Sequence, residues 1–210
     1  MTVVKICGLT SLEDARHAWK CGADLMGFIF VPASRRHIEP AAAGEIIAAL
    51  KREGCPVQCV GVIAGETLDT ANRIIDISGV DLVQLHGGES AQYARSLARP
   101  AIIVRRITDA VPWDELREYD AWAYLLDTYE KGALGGTGQT WRWEALEQAP
   151  SGFERVIVAG GLTPENIACA VESLRPWGVD VASGVERAPG EKDAASVARF
   201  IRQAKGEADE

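Results

Sequence analysis

The sequence predicts an α/β fold, a single-domain (β/α)8 TIM barrel that occupies residues 1–205. Three observations lead to this prediction: short apolar segments alternate with segments that carry helix-start signals, the alternation repeats eight times, and no linker interrupts it. Short apolar strands that alternate with helices form a parallel sheet, and eight such units close that sheet into a barrel. The 210 residues fit the lower end of the size range of this fold.

An open, doubly wound parallel sheet is the alternative that the same alternation allows. Proteins with that fold often bind a dinucleotide at a G-x-G-x-x-G turn after the first strand. The first predicted strand ends at Cys7 and is followed by Gly8, Leu9 and Thr10, without this fingerprint. We therefore favour the barrel.

The eight predicted strands are short apolar runs. In chain order they cover residues 3–7, 25–31, 57–64, 82–86, 101–107, 121–126, 155–159 and 179–182. The first predicted helix, residues 11–21, begins at a capping box in which Thr10 and Glu13 each satisfy a backbone donor of the other. The later helices are expected to begin near Pro40, Thr67, Ser90, Pro112, Thr163 and Asp193.

Two segments depart from the alternation of strands and helices. Residues 129–139 contain four glycines and are too long for an ordinary connection, which is typical of a lid over an active site. Residues 206–210 are predicted to form an acidic C-terminal tail.

Composition and charge restrict the possible partners. The net charge of −8 argues against binding of nucleic acid, which favours a basic face. The apolar runs are strand-sized, too short to cross a bilayer, and no basic-then-apolar leader opens the chain. We therefore expect a cytoplasmic protein that binds neither nucleic acid nor a membrane.

The five cysteines, at positions 7, 21, 55, 59 and 169, include no C-x-x-C pair. An odd number without such pairs predicts reduced thiols, with neither a disulfide framework nor a zinc site. Most of them are expected to be small buried side chains. Cys7 differs because it ends the first strand, before a strand-to-helix turn.

In this fold the catalytic groups come from the carboxyl ends of the strands and from the loops that follow them. This rule selects polar side chains after the first, second, fourth and sixth strands, together with two glycine turns after the last two strands. The selected groups are Cys7, the pair Arg35 and Arg36, His86, Asp127, the turn of Gly160 and Gly161, and the turn of Ser183 and Gly184.

The two glycine turns predict a phosphate site. Gly160, Gly161 and Gly184 allow backbone N–H groups to approach an anion, a helix amino-terminus lies behind them, and Ser183 adds a hydroxyl donor. The loops after strands seven and eight commonly bind phosphate in such barrels. The alternative is that these glycines only form tight turns.

Three ionisable groups, Asp127, Lys5 and Asp180, have two interpretations each. Asp127 is either a general acid at the mouth of the barrel or the cap of a turn. Cys7 acts as a base only as the thiolate. Lys5, on the same strand face, either helps to stabilise this thiolate or simply pairs with Asp180. Asp180 either holds a sugar hydroxyl or belongs to a salt bridge inside the barrel.

Arg36 and His86 are weaker candidates. Adjacent arginines point apart, so at most one of Arg35 and Arg36 faces the site, where it would bind a carboxylate or phosphate. The alternative is a solvated basic pair. His86 is either a substrate contact or a hydrogen-bonded structural group.

Nine segments in sequence resemble the phosphoribosylanthranilate isomerase family of tryptophan biosynthesis over the whole chain. They are KICG at 5–8, GAD at 22–24, GF at 27–28, SRR at 34–36, QLHG at 84–87, LLDT at 125–128, GGTG at 135–138, GGLTPEN at 160–166 and VDVASGVE at 179–186. Each motif alone is weak, but their order is specific.

The resemblance implies an Amadori rearrangement without a cofactor. N-(5-phosphoribosyl)anthranilate, a small phosphoribosyl amine, would become 1-(2-carboxyphenylamino)-1-deoxyribulose 5-phosphate. Asp127 would be the general acid that opens the sugar ring, Cys7 the general base that removes the C2 proton, and Arg36 the ligand of the anthranilate carboxylate. The phosphate would bind at the two glycine turns.

Two other functions remain open from the residues. One is an isomerase or epimerase of another phosphosugar on the same barrel, although such enzymes commonly use paired aspartates or a metal with histidines. The other is a barrel that binds a phosphosugar without catalysis. The chain would act as a monomer or a homodimer.

Overall fold

The structure is a computed structural model that describes residues 1–107, 110–128 and 149–207. Eight parallel strands follow one another in chain order around a closed barrel, and the eighth pairs with the first. Helices connect the strands on the outside. This arrangement confirms the predicted (β/α)8 barrel and excludes the open sheet.

The strands end close to where the apolar runs end, because each run is long enough for one buried strand and no more. They are β1 (Val3–Cys7), β2 (Leu25–Ile29), β3 (Gln58–Ile63), β4 (Leu82–Leu85), β5 (Ala101–Arg106), β6 (Ala123–Asp127), β7 (Val156–Ala159) and β8 (Gly178–Val181). Each end lies within two residues of the predicted one.

The helices of the described residues vary in length. They are α1 (Leu12–Lys20), α2 (Pro40–Arg52), α3 (Leu68–Ser78), α4 (Ala91–Arg95), α5 (Trp113–Leu116), α6 (Ile167–Leu174) and α7 (Ala194–Lys205). Thr67, Ser90 and Asp193 cap α3, α4 and α7 as their sequence positions predict, each side-chain oxygen accepting from a backbone N–H of the first turn.

Two apolar layers result from the period-two alternation of the strands. Leu25, Val60 and Leu125 belong to the cluster that fills the barrel, whereas Val4 and Ile6 belong to the larger cluster between strands and helices. Polar groups on the inward faces therefore lie in an apolar interior, with solvent only at the ends of the barrel.

The predicted capping box of α1 is wrong. Ser11, not Thr10, is the cap, and its hydroxyl accepts a hydrogen bond from the backbone N–H of Asp14 at 3.1 Å. The Thr10 hydroxyl instead donates to the carbonyl of Gly190 at 2.6 Å. A contact between the two ends of the chain thus overrides the local pattern.

The helix after β7 begins later than Thr163, at Ile167. The intervening residues form a turn in which Asn166 accepts from the N–H of Thr163 at 2.8 Å and donates to the carbonyl of Gly161 at 2.9 Å. This turn shapes the loop that follows the seventh strand.

A small hairpin that the sequence did not predict follows β8. A single 3-10 turn (Ser183–Val185) leads into strands β9 (Glu186–Ala188) and β10 (Glu191–Lys192), which pair antiparallel. The hairpin packs against the loop after β1 through Thr10, and it brings Glu186 and Lys192 to the carboxyl end of the first strand.

Two predicted features lie wholly or partly outside the described residues. The lid predicted at 129–139 falls within 129–148, and the end of the acidic tail falls within 208–210. Gly206 ends α7 in the left-handed conformation, with φ of 72°.

No helix among the described residues is long and apolar enough to cross a membrane.

Candidate active site

Cys7, Lys5 and Asp180 lie together at the carboxyl end of the barrel. The Cys7 side chain is buried, with 4% of the residue exposed, at the last position of β1. Lys5 is its inward-facing neighbour two residues earlier, and its Nζ atom donates to Oδ1 of Asp180 at 2.8 Å. The pair forms because Lys5 and Asp180 are direct partners in the β1–β8 register. The salt bridge that the sequence left as one alternative is therefore present.

Gly27 supplies the space that this arrangement needs. It is the register partner of Cys7 on β2. A Cβ atom there would lie 2.6 Å from Sγ of Cys7 and 3.1 Å from Nζ of Lys5. Only glycine fits at this position, because the thiol and the ammonium occupy the volume that any side chain would take.

The surroundings of Cys7 shift its pKa in opposing directions. Burial raises the pKa of the thiol, the charge of Lys5 lowers it, Asp180 raises it and Lys192 lowers it, with a net rise above the usual value. Burial alone would lower the pKa of Lys5, but Asp180 and Cys7 reverse this and raise it. The surroundings thus favour the thiol form of Cys7 and the charged form of Lys5.

Arg36, from the loop after β2, lies beside Cys7 but binds a protein carboxylate. Its Nε atom lies 2.8 Å and 3.0 Å from the two oxygens of Glu186, and its Nη2 atom lies 2.7 Å from Oε2. Burial would raise the pKa of Glu186, but the hydrogen bonds from Arg36 and Lys192 hold it below its usual range. The sequence did not predict this pairing.

Lys192 is a buried cation at the same place. Its Nζ atom donates to the carbonyl of Cys7 at 2.7 Å, to the carbonyl of Ala182 at 3.1 Å and to Oε1 of Glu186 at 2.9 Å. Burial lowers its pKa, although Glu186 opposes the shift. Neither Lys192 nor Glu186 was a candidate from the sequence, because the short polar hairpin that carries them has no apolar periodicity.

Asp127 and His86 lie at the same end of the barrel as Cys7, because all eight strands are parallel. Asp127 is the last residue of β6, half-buried, and its carbonyl accepts from the N–H of Ile107 at 2.8 Å. His86 follows β4 and is exposed, with its N–H bonded to the carbonyl of Ile63 at 3.0 Å. The structure thus brings both groups to the rim.

The two glycine turns after β7 and β8 meet. Gly160 and Gly161 have positive φ values of 97° and 64°. A Cβ atom on Gly184 would lie 1.9 Å from the carbonyl oxygen of Leu162, so the loops touch only because residue 184 is a glycine. A Cβ atom on Gly161 would meet nothing within 4 Å, which shows open space in front of this turn. Ser183 is exposed beside it, at the start of the 3-10 turn.

Gln84 is a buried amide on the inward face of β4, in line with His86. The residue is 3% exposed, and its Oε1 atom has no hydrogen-bond partner among the residues that the structure describes.

Within the same ranges, no three His, Cys, Asp or Glu side chains form a cluster that could hold a metal ion.

Comparison with known proteins places the chain in a family. The model of the N-(5'phosphoribosyl)anthranilate (PRA) isomerase family matches residues 4–203. The chain belongs to the PRA isomerase family. The N-(5'-phosphoribosyl)anthranilate isomerase of Geotalea uraniireducens is 45% identical over 206 residues, which are 98% of this chain and 100% of the relative. That of Geobacter metallireducens is 46% identical over 205 residues, again 98% of this chain and 100% of the relative.

Solved PRA isomerase structures have the same fold. A structure of monomers of the dimeric enzyme from Thermotoga maritima superposes with a TM-score of 0.85 at 35% identity, covering 98% of this chain and 100% of that one. A PRA isomerase in complex with reduced 1-(o-carboxyphenylamino)-1-deoxyribulose 5-phosphate gives 0.83 at 34% identity, with the same coverage.

Proposed function

We propose that this PRA isomerase converts N-(5'-phosphoribosyl)anthranilate to 1-(2-carboxyphenylamino)-1-deoxyribulose 5-phosphate, a step of tryptophan biosynthesis, with Asp127 as acid and Cys7 as base. The observation that carries the proposal is the buried thiol of Cys7 above Lys5, at the same barrel rim as Asp127. The names of the relatives and the reduced product bound to one related structure support the substrate class.

Asp127 acts first in this mechanism. Its protonated carboxyl donates a proton to the ring oxygen of the ribose, and the bond between that oxygen and C1 breaks. The lone pair of the anthranilate nitrogen forms the C1=N double bond, which leaves a protonated Schiff base. A carboxyl at the end of β6 is within reach of a substrate that lies across the barrel mouth.

Cys7 acts second. Its thiolate removes the proton from C2, and the electrons of that C–H bond form a C1=C2 double bond while the nitrogen regains its lone pair. The resulting enolamine becomes the ketone when the C2 hydroxyl loses a proton and C1 gains one. C1 is reduced and C2 is oxidised within the substrate, and the proton that Cys7 takes from C2 offsets the one that Asp127 gave to the ring oxygen.

Lys5 makes the second step possible at a buried thiol. Its ammonium lies one layer below Cys7 and favours the thiolate. The cationic Schiff base that forms in the first step adds a further positive charge beside the thiol, at the moment when the proton must leave. We expect Cys7 to ionise mainly with substrate bound.

Polar groups at the rim hold the rest of the substrate. The phosphate binds at the turns of Gly160 and Gly161 and of Ser183 and Gly184, where glycine keeps the space in front of the backbone open. The Oδ2 atom of Asp180 makes no hydrogen bond within the described part of the chain, so it is available to a sugar hydroxyl.

Two further groups contact the substrate. Arg36 binds the anthranilate carboxylate, and His86, exposed at the rim, is a further substrate contact. The protein works in the cytoplasm as a monomer or homodimer; a dimeric relative is known from Thermotoga maritima.

A fluorescence assay with freshly prepared N-(5'-phosphoribosyl)anthranilate tests the function, because the fluorescence of the anthranilate adduct disappears on turnover. Turnover to the deoxyribulose product, identified by mass spectrometry and by reduction with borohydride, supports it. Binding of the adduct without turnover would instead indicate a binding barrel. Turnover of another phosphosugar, without turnover of this substrate, would show that the protein catalyses a different isomerisation.

A further inference from the structure

Three charged side chains form a cluster next to the end of β1, which we call the carboxylate-end cluster: Arg36, Glu186 and Lys192. The side chains of Glu186 and Lys192 are almost completely buried, 5% and 1% exposed, whereas that of Arg36 is 21% exposed. Only Arg36 has a role in the mechanism above. Two buried charges at an active site need a reason, because burial of an ion is costly unless its partners compensate.

Arg36 keeps one edge of its guanidinium for another partner. The group has five N–H donors in a planar fork. Glu186 accepts from Nε and from one hydrogen of Nη2, in a side-on pair. Nη1 has no partner in the ranges that the structure describes. The edge formed by Nη1 and the second hydrogen of Nη2 can therefore take a second carboxylate.

Glu186 is held too firmly for a ligand to displace it. Its Oε1 atom accepts from Arg36 at 2.8 Å, from Lys192 at 2.9 Å and from the N–H of Gly190 at 3.2 Å. Charge-assisted hydrogen bonds of this kind are the strongest that proteins make. A substrate carboxylate thus adds to the fork of Arg36 and does not replace Glu186.

Lys192 connects the cluster to the reacting end of the barrel. All three of its donors are used, by Glu186 and by the carbonyls of Cys7 and Ala182. The stem of Arg36 also lies against the residue after Cys7, since a Cβ atom on Gly8 would be 2.7 Å from its Cδ. The fork is therefore fixed relative to the thiol.

The charges of the cluster match one bound carboxylate. Arg36 and Glu186 alone form a neutral pair, which attracts an anion only weakly. The ammonium of Lys192 leaves the three groups with one net positive charge, and a substrate carboxylate neutralises it. The side chain of Lys192 is only 1% exposed and all its donors are used, so it contributes charge without touching the ligand.

We propose that Glu186 and Lys192 are positioning residues for the carboxylate end of the substrate. Glu186 holds Arg36 side-on so that its Nη1 edge meets the carboxylate, and Lys192 restores the positive charge and fixes the cluster to the Cys7 backbone. This inference rests on the proposed function, since it concerns the anthranilate ring. It makes carboxylate recognition a property of three residues, of which only one contacts the substrate.

The test compares two stable ligands by calorimetry: reduced 1-(2-carboxyphenylamino)-1-deoxyribulose 5-phosphate and the same compound without the ring carboxyl group. We expect Glu186→Gln and Lys192→Met each to weaken binding of the first ligand roughly ten- to hundredfold. Binding of the second ligand should change by less than about twofold. Lys192→Arg should recover part of the loss, because it keeps the charge.

Arg187→Gln is the matched control. Arg187 lies on the same hairpin and also pairs with a glutamate, Glu191, but both side chains are largely exposed, at 70% and 60%. This variant should leave the affinity for both ligands unchanged. If a single variant does not fold, the double variant Glu186→Gln with Lys192→Met removes both buried charges and serves the same comparison.

Equal losses for the two ligands, or no loss for the first, would overturn the inference and give Glu186 and Lys192 a structural role only. Wild-type turnover of the phosphoribosyl amine is measured beforehand. If the wild type does not turn over this substrate, the proposed function is contradicted. If turnover is normal but the variants bind the two ligands with equal losses, only this inference is contradicted.

Discussion

The ammonium of Lys5 lies 2.8 Å from the carboxylate of Asp180, inside the barrel and one layer below the thiol of Cys7. Lys5 is fully buried, whereas the side chain of Asp180 is 11% exposed. This pair sets the electrostatic environment of the base, since Lys5 favours the thiolate and Asp180 opposes it. Several measurable properties depend on it.

Lys5→Met should raise the pKa of Cys7 further, because the charge of Lys5 is the largest influence that lowers it. We expect the acid limb of the kcat/KM profile to move to higher pH and turnover at neutral pH to fall about tenfold or more. The rate of Cys7 alkylation against pH measures the shift directly.

Loss of Lys5 also leaves Asp180 without its partner, which costs roughly 3–5 kcal/mol for a buried pair. The double variant Lys5→Met with Asp180→Asn removes both charges and is the control for stability, measured by urea unfolding. A single variant with an unchanged alkylation profile would show that Lys5 does not influence the thiol.

The wild-type enzyme should gain activity as pH rises. The net shift raises the pKa of the Cys7 thiol, so the thiolate fraction grows only above the usual thiol value of about 8.5 in the free enzyme. We expect kcat/KM to increase from about pH 6 to about pH 9, and kcat, which reports the substrate complex, to reach its plateau at lower pH. A kcat/KM profile that is flat over this range would contradict a thiolate base.

Gly27→Ala and Gly184→Ala should impair different steps. The alanine Cβ at 27 would lie 2.6 Å from Sγ of Cys7, and that at 184 would lie 1.9 Å from the carbonyl oxygen of Leu162. Overpacking of this kind costs about 1–3 kcal/mol of stability. Steady-state kinetics should show a fall in kcat for the first variant and a rise in KM for the second, whose clash separates the phosphate loops. A rise in KM for Gly27→Ala together with a fall in kcat for Gly184→Ala would show that the phosphate does not bind at the Gly184 turn.

Gln84→Met should stabilise the protein. Oε1 of Gln84 is buried without a partner in the described ranges, and an unsatisfied buried acceptor costs about 1–3 kcal/mol. Methionine has a similar volume and no such acceptor. We expect the free energy of unfolding to rise by about 1 kcal/mol in urea titrations. A decrease of similar size would mean that the amide oxygen is satisfied after all.

The sequence predicted the fold because each apolar run corresponds to one strand and the number of runs equals the number needed to close a barrel. The same rule placed Cys7, His86 and Asp127 at one rim, because parallel strands share their carboxyl ends. The sequence also indicated that Lys5 and Asp180 could form a salt bridge. Whether they do so depends on the β1–β8 register, which the sequence did not specify.

The remaining features depend on contacts between distant parts of the chain. The pairs of Glu186 with Arg36 and of Lys192 with the Cys7 carbonyl join residues about 150 and 185 positions apart. The hairpin that supplies them is short and polar, so no periodicity revealed it. The contact of Thr10 with Gly190 displaced the predicted cap for the same reason.

If Cys7 removes the C2 proton while other groups bind the substrate, loss of its thiol should slow the chemical step and leave binding intact. The most direct test is single-turnover kinetics of Cys7→Ser, with Cys169→Ser as the control because that cysteine is exposed on α6. We predict that Cys7→Ser loses roughly two to four orders of magnitude in the rate of the chemical step and binds the reduced product with unchanged affinity, while the control is unaffected. A Cys7→Ser rate within about tenfold of the wild type would contradict the account.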